Sequence, residues 1–146
     1  MNDIEYKIIP LTKENIKLLE ELRYKAYNID TNNIANNTNI HTKSLEEGKY
    51  LVFGCYLNTN LIGACYTSNN YNTLYIEQIF ISPIYQQSNL HLGTKLLQFT
   101  LQNKEEAEKY FNTKFQFTTL EPSKNTSNFY KTIGYEEKSF YFRKKL

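Results

Sequence analysis

Three β-prone runs separated by short turns, and followed by a strand–loop–helix unit, most constrain what this chain can fold into. Tyr50 to Leu57 and Leu61 to Ser68 flank the turn Asn58-Thr59-Asn60, which predicts a hairpin. A second turn, Asn69 to Asn72, leads into the run Leu74 to Ile81. Hairpins pair strands antiparallel, whereas a strand that returns through a helix pairs parallel. The sequence therefore predicts an α/β (or α+β) fold with a mixed, mostly antiparallel, twisted sheet flanked by helices.

Further helices and strands flank this central unit. Thr12 is placed to cap a helix with apolar residues at helical spacing, and Gly134 suits the C-cap of a short helix that begins at Ser123. The Asn-rich segment Asn28 to Asn39 is interpreted as a surface loop, or as a weak helix broken by a loop. The other predicted elements are strands at Glu5–Pro10, Lys114–Leu120 and Tyr135–Arg143 and a helix from Gly93 to about Tyr110. The predicted order is β-α-loop-β-β-β-α-β-α-β.

Length and composition are those of one globular domain. The 146 residues match a single domain, 1–146, of the usual size. A net charge of +2 gives no broad field for nucleic acid or a membrane surface. No segment has the roughly 18 apolar residues of a membrane span, and Met1 to Pro10 does not have the features of a signal peptide. We therefore expect a cytoplasmic protein, with Cys55 and Cys65 as small buried residues in a reducing compartment.

Tyr75 to Pro83 with Leu92 to Leu97, and further along Phe129 to Tyr135, are two segments that resemble the GNAT N-acetyltransferase superfamily. One is similar to the family's fourth strand, pyrophosphate loop and following helix, and reads Tyr75-Ile76-Glu77-Gln78-Ile79-Phe80-Ile81-Ser82-Pro83, then Leu92-Gly93-Thr94-Lys95-Leu96-Leu97. The other is similar to the family's late helix and its "FYxKxGF" ending, and reads Phe129-Tyr130-Lys131-Thr132-Ile133-Gly134-Tyr135. The two occur in the family's order, and the predicted elements match over nearly the whole chain. The resemblance implies a single GNAT-like domain that binds acetyl-CoA.

The strand–loop–helix unit also has physical reasons to bind phosphate. The first N–H groups of a helix lack partners and, with the helix dipole, attract anions, and Gly93 lets a ligand approach the backbone. The alternative is an ordinary turn with a glycine for packing. By resemblance, the acetyl-CoA site comprises Ile79, Phe80, Ile81, Gln86, Gln87, Ser88, Asn89, Leu90, His91, Leu92, Gly93, Thr94, Ser123 and Thr126.

The loop departs from the family pattern, which is Arg or Gln, two residues, Gly, one residue, then Gly or Ala. Counting back from Gly93 places His91 at the first glycine and Ser88 at the Arg/Gln position. Counting forward from Pro83 places Gln86 there, with a longer loop, and this forward alignment is preferred. His91 either offers a ring N–H to phosphate or is simply exposed to solvent.

Glu77 and Tyr130 are candidate catalytic residues by resemblance. Acyl transfer from a thioester to an amine requires a proton to leave the amine and negative charge to be stabilised on the carbonyl oxygen, and the leaving thiolate benefits from a proton. Glu77 would be the base, directly or through water, and Tyr130 the acid, while the backbone around Ile79 and Ile81 polarises the carbonyl. The alternatives are an exposed or salt-bridged Glu77 and a structural Tyr130. No covalent intermediate is needed, so the cysteines are not proposed as nucleophiles, and the two histidines suggest no metal site.

The sequence thus predicts an acetyl-CoA-dependent N-acetyltransferase that acts on a primary amine of a small molecule or peptide. Two other functions stay open: a GNAT-fold protein that binds CoA without activity, and a small domain that binds nucleic acid or protein. The latter lacks a basic stripe outside Arg143-Lys144-Lys145, so no nucleic-acid partner is expected. Few carboxylates accompany the Asn-rich loop, which favours a neutral or singly charged acceptor. We expect no membrane partner, and a homodimer is left open.

Overall fold

The computed structural model describes residues 3–28, 39–86, 90–121, 127–138 and 141–146, which form one mixed sheet between helices. The strands are β1 (Ile4–Ile8), β2 (Leu51–Leu57), β3 (Asn60–Asn70), β4 (Thr73–Ile81), β5 (Phe117–Leu120), β6 (Glu136–Glu137) and β7 (Phe142–Lys145). The helices are α1 (Lys13–Ala26), α2 (Asn39–Glu46), α3 (Leu92–Gln102), α4 (Lys104–Phe111) and α5 (Ser127–Thr132). Within the described residues the strand order is β1-β2-β3-β4-β5-β7-β6, and β4–β5 is the parallel pair. The predicted mixed, mostly antiparallel sheet is confirmed.

The sheet separates two apolar cores, because successive side chains of a strand point to opposite faces. Along β2, Phe53 and Cys55 face α3 and α4, whereas Val52 faces α1 and α2. The first core includes Leu92, Leu96, Leu97 and Ala107 of the helices, and the second includes Leu19, Leu22 and Leu45.

A β-bulge at Glu77 interrupts the alternation in β4. Two successive residues of β3, Tyr66 and Thr67, pair with Gln78 and Ile76, so that Glu77 has no partner in the β3–β4 register. A bulge of one residue reverses the face of every side chain that follows it. The side chains before and after it therefore share the α3 core: Leu74, Ile76, Ile79 and Ile81.

Helix α1 begins where the sequence predicted. The Thr12 hydroxyl accepts a hydrogen bond from the Asn15 N–H (3.2 Å), which satisfies one of the free donors at the helix start. The other end of α1, at Ala26, reaches the end of β4 and thereby contributes to the site described below.

Two predicted helical regions differ from the structure. Asn39–Glu46 forms α2, where no helix was predicted, and 29–38 lie outside the described residues, so the interpretation of that segment stays a prediction. The single helix predicted from Gly93 to Tyr110 is two helices. Between them the Asn103 side chain donates to the Phe99 carbonyl (2.8 Å), and such bonds compete with the helical ladder.

The single final strand predicted at Tyr135 to Arg143 is wrong. β6 and β7 form a hairpin instead, closed by the Lys138 N–H, which donates to the Tyr141 carbonyl (2.7 Å). The polar residues of β6 offer no apolar face, so it lies at the edge of the sheet. β7, with its buried Phe142, takes the inner position beside β5.

A buried carboxylate fastens α1 to α2 and to the sheet. Glu20 accepts two hydrogen bonds from Arg23 (2.7 and 3.0 Å), one from Thr42 (2.5 Å) and one from the Tyr66 hydroxyl (2.9 Å). Burial alone raises the pKa of Glu20, but the bonds from Arg23 and Thr42 and the Arg23 charge outweigh it, so the pKa lies below its usual range. The ionised form is thus favoured in the folded state.

Glu20→Gln should destabilise the protein by about 3–5 kcal/mol at neutral pH, because the buried ion pair between Glu20 and Arg23 loses its negative charge. The contribution of Glu20 is present above the pKa of the unfolded carboxyl and is lost as pH falls through the lowered folded-state pKa. Urea unfolding across a pH series measures both effects. Glu21→Gln, at the next and exposed position of α1, is the matched control and should change stability little. Equal effects of the two variants would contradict this assignment.

Candidate active site

A cleft opens where β4 and β5 part. The two strands pair only over 74–76 and 118–120. After the bulge, β4 keeps β3 as its partner, and its other edge borders a cavity of about 390 Å³. The predicted residues that line the cavity are Ile79, Phe80, Ile81, Gln86, His91, Leu92, Gly93, Thr94 and Tyr130. Residues not predicted for the site also line it: Ala26, Tyr27, Tyr85 and Phe129.

The open edge of β4 presents the main-chain N–H groups of Ile79 and Ile81. The Ser82 N–H donates to a β3 carbonyl (2.7 Å), and bonded and non-bonded pairs alternate along an antiparallel ladder. The main-chain groups of Ile79 and Ile81 consequently point away from β3, toward the cleft. Their carbonyls accept side-chain donors, Tyr27 at 2.8 Å and Gln86 at 2.9 Å respectively. The two N–H groups are therefore the donors that this edge offers to a ligand.

Helix α3 begins beside this edge. His91, just before the helix, has φ +52° and ψ +44°, a left-handed conformation that favours glycine. In the alignment that counts back from Gly93, His91 stands at the family's first loop glycine, so a residue other than glycine has the left-handed conformation at that position. A Cβ placed on Gly93 would have no described atom within 4 Å, so the space beside it is open. Leu90 packs against the α3 core and does not line the cavity.

Five of the predicted cofactor-binding residues lie outside the described part of the chain, and their role stays a prediction. They are Gln87, Ser88, Asn89, Ser123 and Thr126.

Tyr130 is fixed by the end of α5. Gly134 has φ +102°, and the N–H groups of Gly134 and Tyr135 donate to the carbonyls of Lys131 (3.2 Å) and Tyr130 (3.1 Å). This is a Schellman motif, so the predicted glycine cap is present. Tyr130 is 7% exposed, and burial raises the pKa of its hydroxyl well above the ordinary value of 10.0. The hydroxyl is protonated at neutral pH and has no hydrogen-bond partner among the described residues.

Glu77 lies at the bulge, two positions before Ile79. Its carboxylate accepts a hydrogen bond from the Ser68 hydroxyl (2.6 Å). Burial raises the pKa of Glu77, and the nearby Glu121 carboxylate raises it further, while the bond from Ser68 offsets part of the rise. Glu77 does not line the cleft itself but a neighbouring cavity bordered by α2. A half-buried carboxylate with a raised pKa has the properties of a general base.

Comparison with known proteins decides the family. A family model described as "Acetyltransferase (GNAT) domain" matches residues 20–145. The chain belongs to the GNAT acetyltransferase family. Among curated proteins there is no match.

Solved GNAT structures have the same fold. An acetyltransferase of the GNAT family from Staphylococcus aureus Mu50 superposes with a TM-score of 0.74 at 16% identity, covering 97% of this chain and 99% of that one. The PaiA N-acetyltransferase from Thermoplasma acidophilum, in complex with coenzyme A, gives 0.71 at 15%, covering 99% of each chain. The ribosomal-protein-S18-alanine N-acetyltransferase from Escherichia coli gives 0.70 at 14%, covering 99% of this chain and 94% of that one. At these identities the likeness is one of fold.

Tyr27 is a residue of the GNAT cleft that the sequence did not reveal. It follows directly after α1, and its hydroxyl donates to the carbonyl of Ile79 on β4, 52 positions away. Gln86 makes a second link between α1 and β4, because its side chain donates to the carbonyl of Ala26 (3.3 Å) as well as to that of Ile81. The one sequence signal for Tyr27 was its position at the end of the predicted first helix, and the chain has 13 tyrosines.

The two cysteines of this GNAT domain are buried and free. Burial raises the pKa of Cys55 to about 11 and that of Cys65 to about 12, which disfavours a thiolate at neutral pH. Among the described residues there is no group of three or more His, Cys, Asp or Glu that could hold a metal ion. In the same part of the chain, no helix has the length and apolar character to cross a membrane.

Gly93→Val should weaken coenzyme A binding by about 10-fold, because a branched side chain at the helix start would crowd a ligand, and overpacking of this kind costs about 1–3 kcal/mol. The free protein should keep its melting temperature, since a Cβ at this position meets no described atom within 4 Å and has open space beside it. Calorimetric titration with coenzyme A and a thermal melt test the two statements. Gly93→Ala is the graded control and should fall between wild type and Val. Unchanged affinity in Gly93→Val would exclude the placement of the ligand beside Gly93.

Proposed function

We propose that this protein is an acetyl-CoA-dependent N-acetyltransferase that moves an acetyl group to a primary amine of a small molecule or peptide by direct attack. One observation carries the proposal: beyond its pairing with β5, the edge of β4 presents the N–H groups of Ile79 and Ile81 to a cleft that Tyr130 also lines. The Glu77 carboxylate lies two positions before Ile79 on the same strand, beside a neighbouring cavity.

The cleft suits acetyl-CoA as the donor substrate. The open space beside Gly93 and the free N–H groups at the start of α3 are adapted to phosphate oxygens. The edge of β4 offers main-chain donors at the spacing of a strand, which suits an extended chain with amide groups. The PaiA relative was solved with coenzyme A, which supports the same ligand here.

Each chemical requirement of the transfer has a group in this region. Glu77 takes a proton from the amine, directly or through water, so that the nitrogen lone pair can bond to the thioester carbon. The N–H of Ile79 donates to the carbonyl oxygen as negative charge develops there. The N–H of Ile81, roughly 7 Å further along the strand, is left for an amide group of the coenzyme A arm. Tyr130 gives its proton to the sulfur as the carbon–sulfur bond breaks, and the products are an amide and a thiol. The nitrogen loses a second proton as the amide forms, and this proton restores Tyr130 directly or through solvent. The proton taken up by Glu77 returns to solvent.

The names of the relatives do not settle the acceptor. One relative is named for the alanine of a ribosomal protein, and the names of the PaiA and Staphylococcus aureus relatives specify no acceptor. We propose a small-molecule or peptide amine, without nucleic acid or membrane as partner. The buried free thiols suit a reducing compartment, and the cytoplasm is the compartment that we propose.

A domain that binds coenzyme A without turnover is the second candidate, favoured by the missing loop glycine. His91 supplies the left-handed conformation in its place, however, so the loop departure does not by itself remove the phosphate site. Release of free thiol from acetyl-CoA with a panel of amines separates the two candidates, since a sensor would bind coenzyme A and release none.

Glu77→Gln should lower kcat/KM by about 10²–10⁴-fold, and most strongly at pH values above the pKa of Glu77 and below that of the amine, where Glu77 is ionised and most of the amine is protonated and needs a base. In the wild type, activity should fall as the pH drops through the raised pKa of Glu77. Steady-state kinetics across a pH series measures both. A wild-type pH profile in Glu77→Gln would mean that the amine loses its proton without Glu77.

Glu121→Gln provides a control for the same series. Glu121 is exposed, and its negative charge helps to raise the pKa of Glu77. Its removal should therefore shift the acidic limb to lower pH and leave the maximal rate nearly unchanged. A loss of rate as large as that of Glu77→Gln would show that the local charge, rather than the Glu77 base, matters.

Tyr130→Phe should lower kcat by about 10²-fold or more and leave coenzyme A affinity and the melting temperature nearly unchanged, because the ring stays and no described partner loses a hydrogen bond. Tyr135→Phe is the matched control, since the Tyr135 hydroxyl is 3.2 Å from that of Thr118 in the core. It should cost about 1 kcal/mol of stability without a matching loss of kcat. Full activity in Tyr130→Phe would remove Tyr130 from the mechanism.

A further inference from the structure

The three cations near the end of the chain, Arg143, Lys144 and Lys145, have different surroundings. They lie on β7, where successive side chains point to opposite faces of the sheet. The Arg143 guanidinium lies 4.3 Å from the centre of the Phe117 ring, and Lys145 is exposed. Lys144 follows the buried Phe142 by two positions, so it points to the face of the sheet that carries the α3 core. The run therefore does not form one basic patch, and Lys144 is the cation directed toward α5.

The Lys144 ammonium binds the end of α5. Its Nζ donates to the carbonyl oxygen of Ile133, the first residue after the helix, at 2.7 Å. The same side chain packs on Gly134, since a Cβ placed there would lie 3.2 Å from Cε and 3.3 Å from Nζ. A cation at the C-terminal end of a helix satisfies a free carbonyl and interacts favourably with the helix dipole.

Helix α5 needs such an anchor because it is short. It has six residues, and a helix of that length is not stable without tertiary contacts. A salt bridge from Lys131 of α5 to Glu137 of β6 (3.2 Å) links the same elements, but its side chains are 47% and 60% exposed, and exposed pairs contribute little. The half-buried Lys144 is therefore the stronger polar link between the end of α5 and the sheet.

The position of the Tyr130 hydroxyl depends on α5. The oxygen has no hydrogen-bond partner among the described residues, so the helix backbone and the neighbouring rings determine where it lies. Those rings are Phe129, on the same helix, and Tyr135, with centroids 5.0 and 5.9 Å from that of Tyr130. A displacement of about 1 Å at a reacting group can cost about 10²-fold in rate. A shift of α5 would therefore affect the proposed acid directly.

We propose that Lys144 is a positioning residue, whose bond to the Ile133 carbonyl fixes α5 so that the Tyr130 hydroxyl meets the sulfur of acetyl-CoA. The inference rests on the proposed function, since it takes Tyr130 as the acid. It goes further, because it assigns a part in the reaction to a residue of β7 that does not line the cleft.

Hydrogen exchange tests the anchor without reference to activity. Lys144→Met keeps the apolar stem and removes the donor, so the amides of Gly134 and Tyr135, which close the end of α5, should exchange about 10-fold faster. Lys145→Met, at the next and exposed position of β7, is the matched control and should change the exchange of neither amide. Equal protection of these amides in Lys144→Met and wild type would overturn the proposal.

Kinetics tests the consequence for the acid, with thiol release from acetyl-CoA as the signal and benzylamine, putrescine and an alanyl dipeptide as acceptor probes. With the fastest acceptor, Lys144→Met should lower kcat about 10-fold and leave the Kd for coenzyme A within about 2-fold, because α5 shifts while β4 and the start of α3 do not. Lys144→Arg keeps the charge and a donor and should restore most of the rate. Lys145→Met should keep the wild-type kcat. Melting curves give the temperature below which all variants are folded, and the rates are measured there.

A double-mutant cycle distinguishes positioning from a general loss of structure. If Lys144 acts through Tyr130, Lys144→Met should change kcat by less than about 2-fold in the Tyr130→Phe background, because no acid is left to displace. If Tyr130→Phe is slow but Lys144→Met is not, or if the two losses multiply, the Lys144 proposal fails and the proposed function stands. Full activity in Tyr130→Phe would remove the acid that Lys144 positions and would overturn the proposal. If no amine of a wide panel is acetylated by protein that binds coenzyme A, the proposed function fails, and the Lys144 proposal with it.

Discussion

The bulge at Glu77 in β4 is the constraint on which the rest of the site depends. It places one residue outside the ladder with β3, close to the point where pairing with β5 ends at Ile76. The side chains of Ile79 and Ile81 enter the α3 core, and their main-chain N–H groups point into the gap. Inside a continuous sheet a neighbouring strand would satisfy these groups. The divergence of β4 and β5 is therefore what makes backbone donors available to a ligand.

The number of hydrogen bonds distinguishes two carboxylates, the structural Glu20 and Glu77, which we propose as the base. Glu20 accepts four hydrogen bonds, two of them from a guanidinium, and its pKa is lowered. Glu77 accepts one, from Ser68, beside a second carboxylate, and its pKa is raised. The arrangement around Glu20 stabilises the ionised carboxylate and links two helices. The arrangement around Glu77 makes it easier for the carboxylate to take up a proton. Two buried tyrosines differ in the same respect. The Tyr66 hydroxyl donates a hydrogen bond to Glu20, whereas the Tyr130 hydroxyl has no partner among the described residues.

Much of the framework could be predicted from local patterns. Turn residues and alternating apolar runs predicted the strands β2, β3 and β4, and single residues predicted ends of helices: Thr12 by its hydroxyl and Gly134 by its tolerance of positive φ. The predictions failed where local and tertiary preferences differ. α2 has only 8 residues, and a periodic pattern over so short a segment does not distinguish a helix from a loop. The hairpin of β6 and β7 lies in a segment whose composition suits a strand but does not reveal a reversal. Tyr27 reaches Ile79 only because α1 packs across the sheet, and no spacing along the chain records that packing.

By itself the sequence determined the mixed sheet, because turn chemistry and periodicity act over neighbouring residues. It also predicted a phosphate site at the start of α3, and its short motifs offered Glu77 and Tyr130 as a candidate pair by resemblance to a family. The tertiary structure alone decided which main-chain groups face the cleft, which side chains cover the carbonyls of Ile79 and Ile81, and that Glu77 opens onto a neighbouring cavity bordered by α2. These outcomes depend on strand register and on helix packing between residues far apart in the chain. A shift of one position in strand register or in helix packing would leave the local sequence patterns intact, but it would place the same side chains on other faces of the structure.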